Sequence, residues 1–307
     1  MGMLIEGVWD GAADRSMQDG AYRRETSALR GLIDGQVLDR LRTDPSRYVL
    51  VASSSCPWSH AAVLARLFKG LAGRLPLQWA GGPRVEGYAV RADGPLHDSV
   101  AVRHVHQLYS MTDPAFTGRA TVPVLWDTGE RRIVSNSSAD IMRAFNRAGT
   151  GPDLCPESMR GEIEALTKAI FDGLSNAVYR AGKAERQDEY DEAVTTVFGT
   201  MERLEQRLSD RPFLFGPDMT ESDIRLFATL VRFDTVYATH FRCTLKRLVD
   251  HPSLWRFTRR IYQMPGVSET VDFDEIRNGY YLNDGSHNPF GIVARQPAID
   301  WWDGEGL

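Results

Sequence analysis

The feature that most constrains this chain is a short apolar run, Tyr48-Val49-Leu50-Val51-Ala52, that leads through three serines to Cys56-Pro57 and then into helix-forming residues from Ala61 to Leu71. A brief, β-branched apolar run reads as a buried strand. Proline suits the first helical turn, where its missing N–H is no loss, so a cysteine is held between a strand end and a helix start. The unpaired amides and positive end of that helix stabilise an anion, which favours the thiolate. Leu75 to Ala80 reads as the next strand. Strand, cysteine loop, helix and strand form the right-handed βαβ opening of a small α/β domain.

Further along, Thr121 to Trp126 reads as an apolar strand despite Pro123, a residue that needs a special reason inside a core strand. A turn at Asp127 to Arg131, a strand at Arg132 to Val134, and the polar cap Ser135 to Asp140 before a helix from Ile141 to Arg147 complete this part. Gly149 to Pro156 has the composition of a linker. Apolar stripes then predict helices over Ser158–Ala181, Glu189–Leu208, Thr220–Ala238, Leu245–Val249 and Pro252–Gln263, with Thr220 and Asp223 as a capping-box variant. Ahead of the first strand lie short polar stretches punctuated by glycine and a helix-like Glu25–Leu41.

At 307 residues the chain exceeds one typical domain, and two are expected. A net charge of −5 with interspersed signs leaves no electrostatic footprint for nucleic acid or an anionic membrane. No apolar run approaches the ~20 residues of a membrane-spanning helix, and the N-terminus lacks a signal-peptide pattern, so a cytoplasmic location is expected. The three cysteines, Cys56, Cys155 and Cys243, fit neither a disulfide framework nor a zinc pair. A cysteine that matters here acts as a thiol.

Cys56-Pro57-Trp58-Ser59 has the layout of a dithiol motif with serine in the second cysteine's place. Its chemistry is therefore monothiol, through a mixed disulfide that an external thiol opens. His60, one helical turn on, could be a base, a zinc ligand or a packed core histidine, and the last is preferred because no further ligands stand at useful spacing. His104-x-His106 is read as surface, Cys155 and Cys243 as inert, and no metal is expected.

These residues resemble the glutathionyl-hydroquinone reductases, the Xi class of the glutathione transferase superfamily. The resemblance runs through Ser55 to His60, Gly118-Arg119 with Thr121 to Asp127, Asn136 to Asn146, Val178 to Gly182, Asp223 to Phe227, Arg232 to Tyr237, His240-Phe241 and Asn288 to Val293. It implies a thioredoxin-like α/β N-terminal domain followed by an all-α C-terminal domain, the glutathione transferase fold, in a homodimer. The divisions expected are an N-terminal arm (1–45), a thiol-binding domain (46–148), a helical substrate domain (149–282) and a coil tail (283–307). The resemblance also implies a cis peptide between Val122 and Pro123, with the backbone of Val122 pairing with the bound thiol. Cys56 would attack the sulfur of a thiol-conjugated hydroquinone, release the aromatic product, and be freed by a second thiol. Pro57, Trp58, Tyr88, Val122, Pro123, Ser137 and Ser138 would hold the thiol, glutathione or another of low molecular weight. Tyr179, Tyr237, Tyr280 and Tyr281 would meet a quinone-type acceptor between the domains.

Several positions depart from the family pattern. Ser137-Ser138 stand where the family pairs glutamate with serine, so the counter-charge for a γ-glutamyl ammonium is missing, at about 1–3 kcal/mol for such a contact. A binding tryptophan becomes Tyr88 and a binding arginine Leu108; Ala61 and Lys183 replace an arginine and an aromatic residue. Three readings stay open: a different thiol, a thiol-addition or ring-opening role, or a binding protein without turnover. Only Lys69, Lys168, Lys183 and Lys246 among the 36 basic residues are lysine, a bias common in GC-rich actinobacteria, which makes mycothiol the first alternative thiol.

Overall fold

Nine strands and eleven α-helices form among the described residues, which run from 2 to 302 apart from Arg15 and Arg24 in this computed structural model. Met1 of the expected arm and residues 303–307 of the expected tail lie outside the described residues. The chain divides into two compact units, each assembled from three stretches.

The first unit contains residues 1–15, 25–152 and 278–293. Its strands are the hairpin β1 (Met3–Ile5) and β2 (Val8–Asp10), then β5 (Tyr48–Ala52), β6 (Leu77–Gly81), β7 (Ala89–Val90), β8 (Val124–Asp127) and β9 (Arg132–Ser135). β5 is buried at every position and lies at the centre of a five-stranded sheet of order β7-β6-β5-β8-β9. β6 runs parallel to β5 and β8 antiparallel, with β9 antiparallel to β8. That is the thioredoxin-like arrangement. The helices are α1 (Gly35–Thr43), α2 (Pro57–Phe68), α3 (Pro95–Ser99), α4 (Val105–Thr112) and α5 (Ser138–Ala148). α2 stops short of the expected Leu71 because Gly70 turns left-handed, at a φ of 65°, and the Leu71 amide closes back on Arg66.

The second unit contains residues 16–24, 153–277 and 294–307. A two-stranded ribbon, β3 (Met17–Gln18) and β4 (Ala21–Tyr22), accompanies α6 (Arg160–Ile170), α7 (Ala177–Lys183), α8 (Gln187–Arg207), α9 (Glu221–Leu230) and α10 (Pro252–Tyr262). α11 (Phe273–Tyr281) ends in the stretch that belongs to the first unit. The expected helix over 158–181 is interrupted by a π-helical turn at Phe171–Ser175, and that over 220–238 ends in another at Phe233–Tyr237. Thr220 and Asp223 form the expected cap, the buried carboxylate accepting from the Thr220 amide (2.8 Å), the Thr220 hydroxyl (2.8 Å) and the Leu214 amide (2.7 Å).

Three expectations are corrected. Residues 1–45 are not an arm: Met3 and Leu4 are buried, Leu4 within the apolar core of the first unit, and 16–24 form part of the second. The helix expected from Glu25 begins only at Gly35, where the Asp34 carboxylate accepts from the Val37 amide at 2.9 Å; before it, the Leu29 amide is taken by the Asn136 side chain. Of the expected coil tail, residues 283–302 are coil around one short turn, yet they pack into the second unit's core at Trp301, which is buried against Trp255, Tyr262 and Phe273. α11 had no place among the predicted helices.

Candidate thiol-chemistry site

Strand directions decide where the site lies. β5 and β6 are parallel and both end at one edge of the sheet; antiparallel β8 starts there and β9 ends there. That edge therefore receives Cys56 after β5, the 82–88 loop after β6, Val122-Pro123 before β8, and Ser137 after β9. Residues far apart in the chain meet because the sheet topology brings their loops to the same side.

Cys56 is the N-cap of α2, and its Sγ accepts from the Ser59 amide at 3.4 Å. Its thiol also lies 3.4 Å from the Val122 carbonyl, as donor. The sulfur thus occupies the position where a helix end best supports a negative charge. The cysteine is 8% exposed, and all three cysteines are free. The Val122-Pro123 peptide is cis. Thr121 and Val122 are not part of the β8 ladder, where a strand was expected, because their groups are committed elsewhere: the Tyr109 hydroxyl donates to the Thr121 carbonyl at 2.8 Å and accepts from the Asn136 side chain at 2.9 Å. Burial pushes the Tyr109 hydroxyl up to about 12, so it stays a neutral donor. This brace fixes the stretches before Val122 and Ser137 together.

The 82–88 loop adds a cation. The Arg84 guanidinium donates to the Ser55 hydroxyl at 2.9 Å and lies over the Tyr88 ring at 4.3 Å. Ser55 in turn shares a hydrogen bond with Ser53 at 3.1 Å. The Asn283 side chain accepts from the Arg84 amide at 2.7 Å, and Gly279 approaches so closely that a Cβ there would stand 2.3 Å from the Ser55 Cβ. The end of α11 and Asn283, the first residue of the expected tail, are thereby part of the wall behind the cysteine loop.

Pro57 is buried and Trp58 half-buried against the core with Tyr88. Ser137 is the N-cap of α5, its hydroxyl accepting from the Asp140 amide at 3.2 Å, and Ser138 opens the helix. The one acid in that first turn, Asp140, is engaged by the Gly31 amide at 2.7 Å. Leu108 is wholly buried in the apolar core, a place where an arginine would lose its solvation, and the cation that reaches the cysteine loop is Arg84. Tyr179 and Tyr237 come together in the second unit with Phe241: the Tyr179 ring lies 6.1 Å from Tyr237 and 5.2 Å from Phe241. Tyr237 is fully buried and Tyr179 half-buried, whereas Tyr280 and Tyr281, both nearly buried, belong to the first unit. His60 is buried on α2.

Sequence reasoning missed Arg84, Asn283, Gly279 and the Tyr109 brace. Tyr109 and Asn136 lay within or beside quoted motifs, but nothing in their spacing announced a hydrogen bond. Arg84 and Asn283 are loop residues 199 positions apart, and no local pattern pairs them.

Comparison with known proteins agrees with this geometry. Residues 55–148 match the family described as glutathione S-transferase, N-terminal domain, and residues 187–260 that described as glutathione S-transferase, C-terminal domain. The chain is 40% identical to the glutathionyl-hydroquinone reductase YqjG of Escherichia coli, covering 98% of this chain and 96% of that protein. It is 38% identical to the glutathionyl-hydroquinone reductase PcpF of Sphingobium chlorophenolicum, covering 97% of each. The glutathione-bound structure of YqjG superposes with a TM-score of 0.86 at 39% identity, over 99% of this chain and 98% of that one. A cysteine poised on a helix end, a cis proline facing it, a following helical unit and relatives matched end to end agree on one conclusion: the chain belongs to the glutathionyl-hydroquinone reductase family, the Xi class of the glutathione transferase superfamily of enzymes.

Proposed function

We propose that this protein reductively removes a low-molecular-weight thiol from a thiol-conjugated hydroquinone, with Cys56 as the nucleophile. The observation that carries the reading is the Cys56 sulfur at the N-cap of α2, receiving the Ser59 amide, with serine rather than cysteine at the end of the Cys-Pro-Trp-Ser motif. The thiolate attacks the conjugate's sulfur; the sulfur–sulfur bond forms as the carbon–sulfur bond breaks, and the aromatic carbon keeps the electron pair and takes a proton. A second thiol then attacks the mixed disulfide, restores Cys56 and leaves as the symmetrical disulfide, supplying the two electrons. Pro57, Trp58, Tyr88, Val122, Pro123, Ser137 and Ser138 hold the thiol, and Tyr179, Tyr237, Tyr280 and Tyr281 meet the acceptor's oxygen atoms. The working form is a homodimer, which light scattering on the purified protein would test.

The thiol proposed is one without a γ-glutamyl ammonium, with mycothiol as the first candidate. Ser137 and Ser138 offer hydroxyls at the start of α5, and the Asp140 carboxylate is already bonded to Gly31. The experiment compares turnover of one hydroquinone conjugated to glutathione and to mycothiol, for the wild type and for Ser137→Glu. A preference for mycothiol that shifts toward glutathione in the variant supports the choice of thiol; a tenfold preference of the wild type for glutathione, about 1.4 kcal/mol of transition-state preference, rejects it. Intact mass separates the reaction types: a reductase leaves one thiol disulfide-linked to Cys56, and an enzyme that adds a thiol to an electrophile leaves none.

A further inference from the structure

We propose that Glu86, His104 and His106, all in the first unit, form a binding site for a borderline divalent transition-metal ion of the zinc class. Each of the three side chains presents one donor atom, and these atoms all lie within 4.8 Å of one another; among the described residues it is the one group of this kind. The two imidazoles come from the start of α4, with ring centroids 5.5 Å apart and planes only 7° from parallel. The Glu86 carboxylate, from the loop between β6 and β7, stands 3.5 Å from His104 Nδ1.

Backbone pairing brings these groups together, not a chance meeting of flexible side chains. The Val90 amide donates to the Arg103 carbonyl at 2.8 Å, the Val105 amide to the Tyr88 carbonyl at 2.9 Å, and Ala89 bridges to His104. The Gln107 side chain accepts from the Arg103 and His104 amides at 2.7 and 3.0 Å, which fixes the start of α4. Trp9 stacks on His106 at 4.8 Å and sets the plane of that ring.

His106 gives a second, independent indication. Its Nε2 is shielded from solvent and has no hydrogen-bond partner among the described residues, an arrangement that costs free energy unless something meets it.

The donor set selects the ion. Two imidazoles and one carboxylate suit zinc, copper(II) and nickel, whereas magnesium and calcium take all-oxygen shells and copper(I) takes thiolates. Donors 2.0–2.2 Å from a tetrahedral zinc ion stand about 3.3–3.6 Å apart, so the cluster closes by ångström-scale turns of side chains, and Glu86 is exposed and able to turn. Water would complete the coordination shell.

The test is calorimetric titration of zinc into the full chain, without a histidine tag and with Cys56 alkylated so that its thiol cannot compete. The expected result is one zinc per chain, weakened at least tenfold by Glu86→Gln and by His106→Gln and abolished by the double variant His104→Gln/His106→Gln. Circular dichroism of each variant shows that the fold is retained, and glutamine keeps the polar contact surface beside Trp9. Absence of zinc binding in the wild type, or unchanged binding in the folded double variant, overturns the proposal and leaves the cluster as a histidine–carboxylate pair.

Discussion

The Ser59 amide meets the Cys56 sulfur across 3.4 Å, while the Ser59 hydroxyl is buried without a hydrogen-bond partner among the described residues. Support for the sulfur thus comes from the backbone and not from the serine side chain. Cys56→Ala should lower reductive turnover by about a thousandfold or more, since the covalent step is lost. Ser59→Ala should stay within about threefold of the wild type. A hundredfold loss in Ser59→Ala would transfer the donor role to the hydroxyl and favour thiol addition over reduction.

The cysteines should also separate by simple alkylation. Cys243 has no exposed surface, and burial pushes its thiol up to about 12. At pH 8 the native protein should take one equivalent of iodoacetamide, on Cys56, with Cys155 and Cys243 reacting only in denaturant. Peptide mapping after native labelling reads this directly, and label on Cys243 would contradict its burial.

Tyr179 and Tyr237 share an aromatic cluster but differ in access. Tyr179→Phe should lower turnover about tenfold at unchanged thermal stability, because the ring and its packing remain. Tyr237→Phe should act more weakly on turnover. Tyr237→Ala, in contrast, should destabilise the protein by about 3–5 kcal/mol through the cavity left in the cluster. Steady-state kinetics beside thermal melts distinguish a hydroxyl that meets the acceptor from one that only accompanies packing.

Gly279 tests the wall behind the cysteine loop. A methyl group there collides with Ser55, whose hydroxyl is bonded to Arg84. Gly279→Ala should therefore cut turnover about tenfold or more by displacing Ser55 beside the nucleophile, and Ser55→Gly in the same chain should recover part of it by making room. Failure of the second substitution to rescue would place the damage in the helix itself.

The strand and helix start around Cys56 were more legible than their surroundings. Cys56, Pro57 and the strand before them could be read because a buried strand and a helix start each leave a local signature, apolar β-branched residues in one case and proline in the first turn in the other. The same logic located β8, β9 and the cap at Ser137, and with the family resemblance the cis proline. What escaped was fixed at long range. Residues 1–14 carry little periodicity, and the burial of Met3 and Leu4 depends on a hairpin and on the pairing of Leu4 with Gly118. α11 is a short helix whose polar positions gave no stripe, and the π-helical turns at Phe171 and Phe233 continue a helical pattern, so the sequence looks unbroken where the backbone is not.

Neither unit is continuous in the chain: the first needs residues up to 293 and the second needs residues from 16 onward. A protein made from its N-terminus on the ribosome therefore cannot finish its Cys56-bearing unit when residue 152 has been added. Arg84 waits for Asn283, and Ser55 for Gly279, until those residues have been added. The cysteine loop acquires its final support only after the long middle stretch of the helical unit, residues 153–277, has been made.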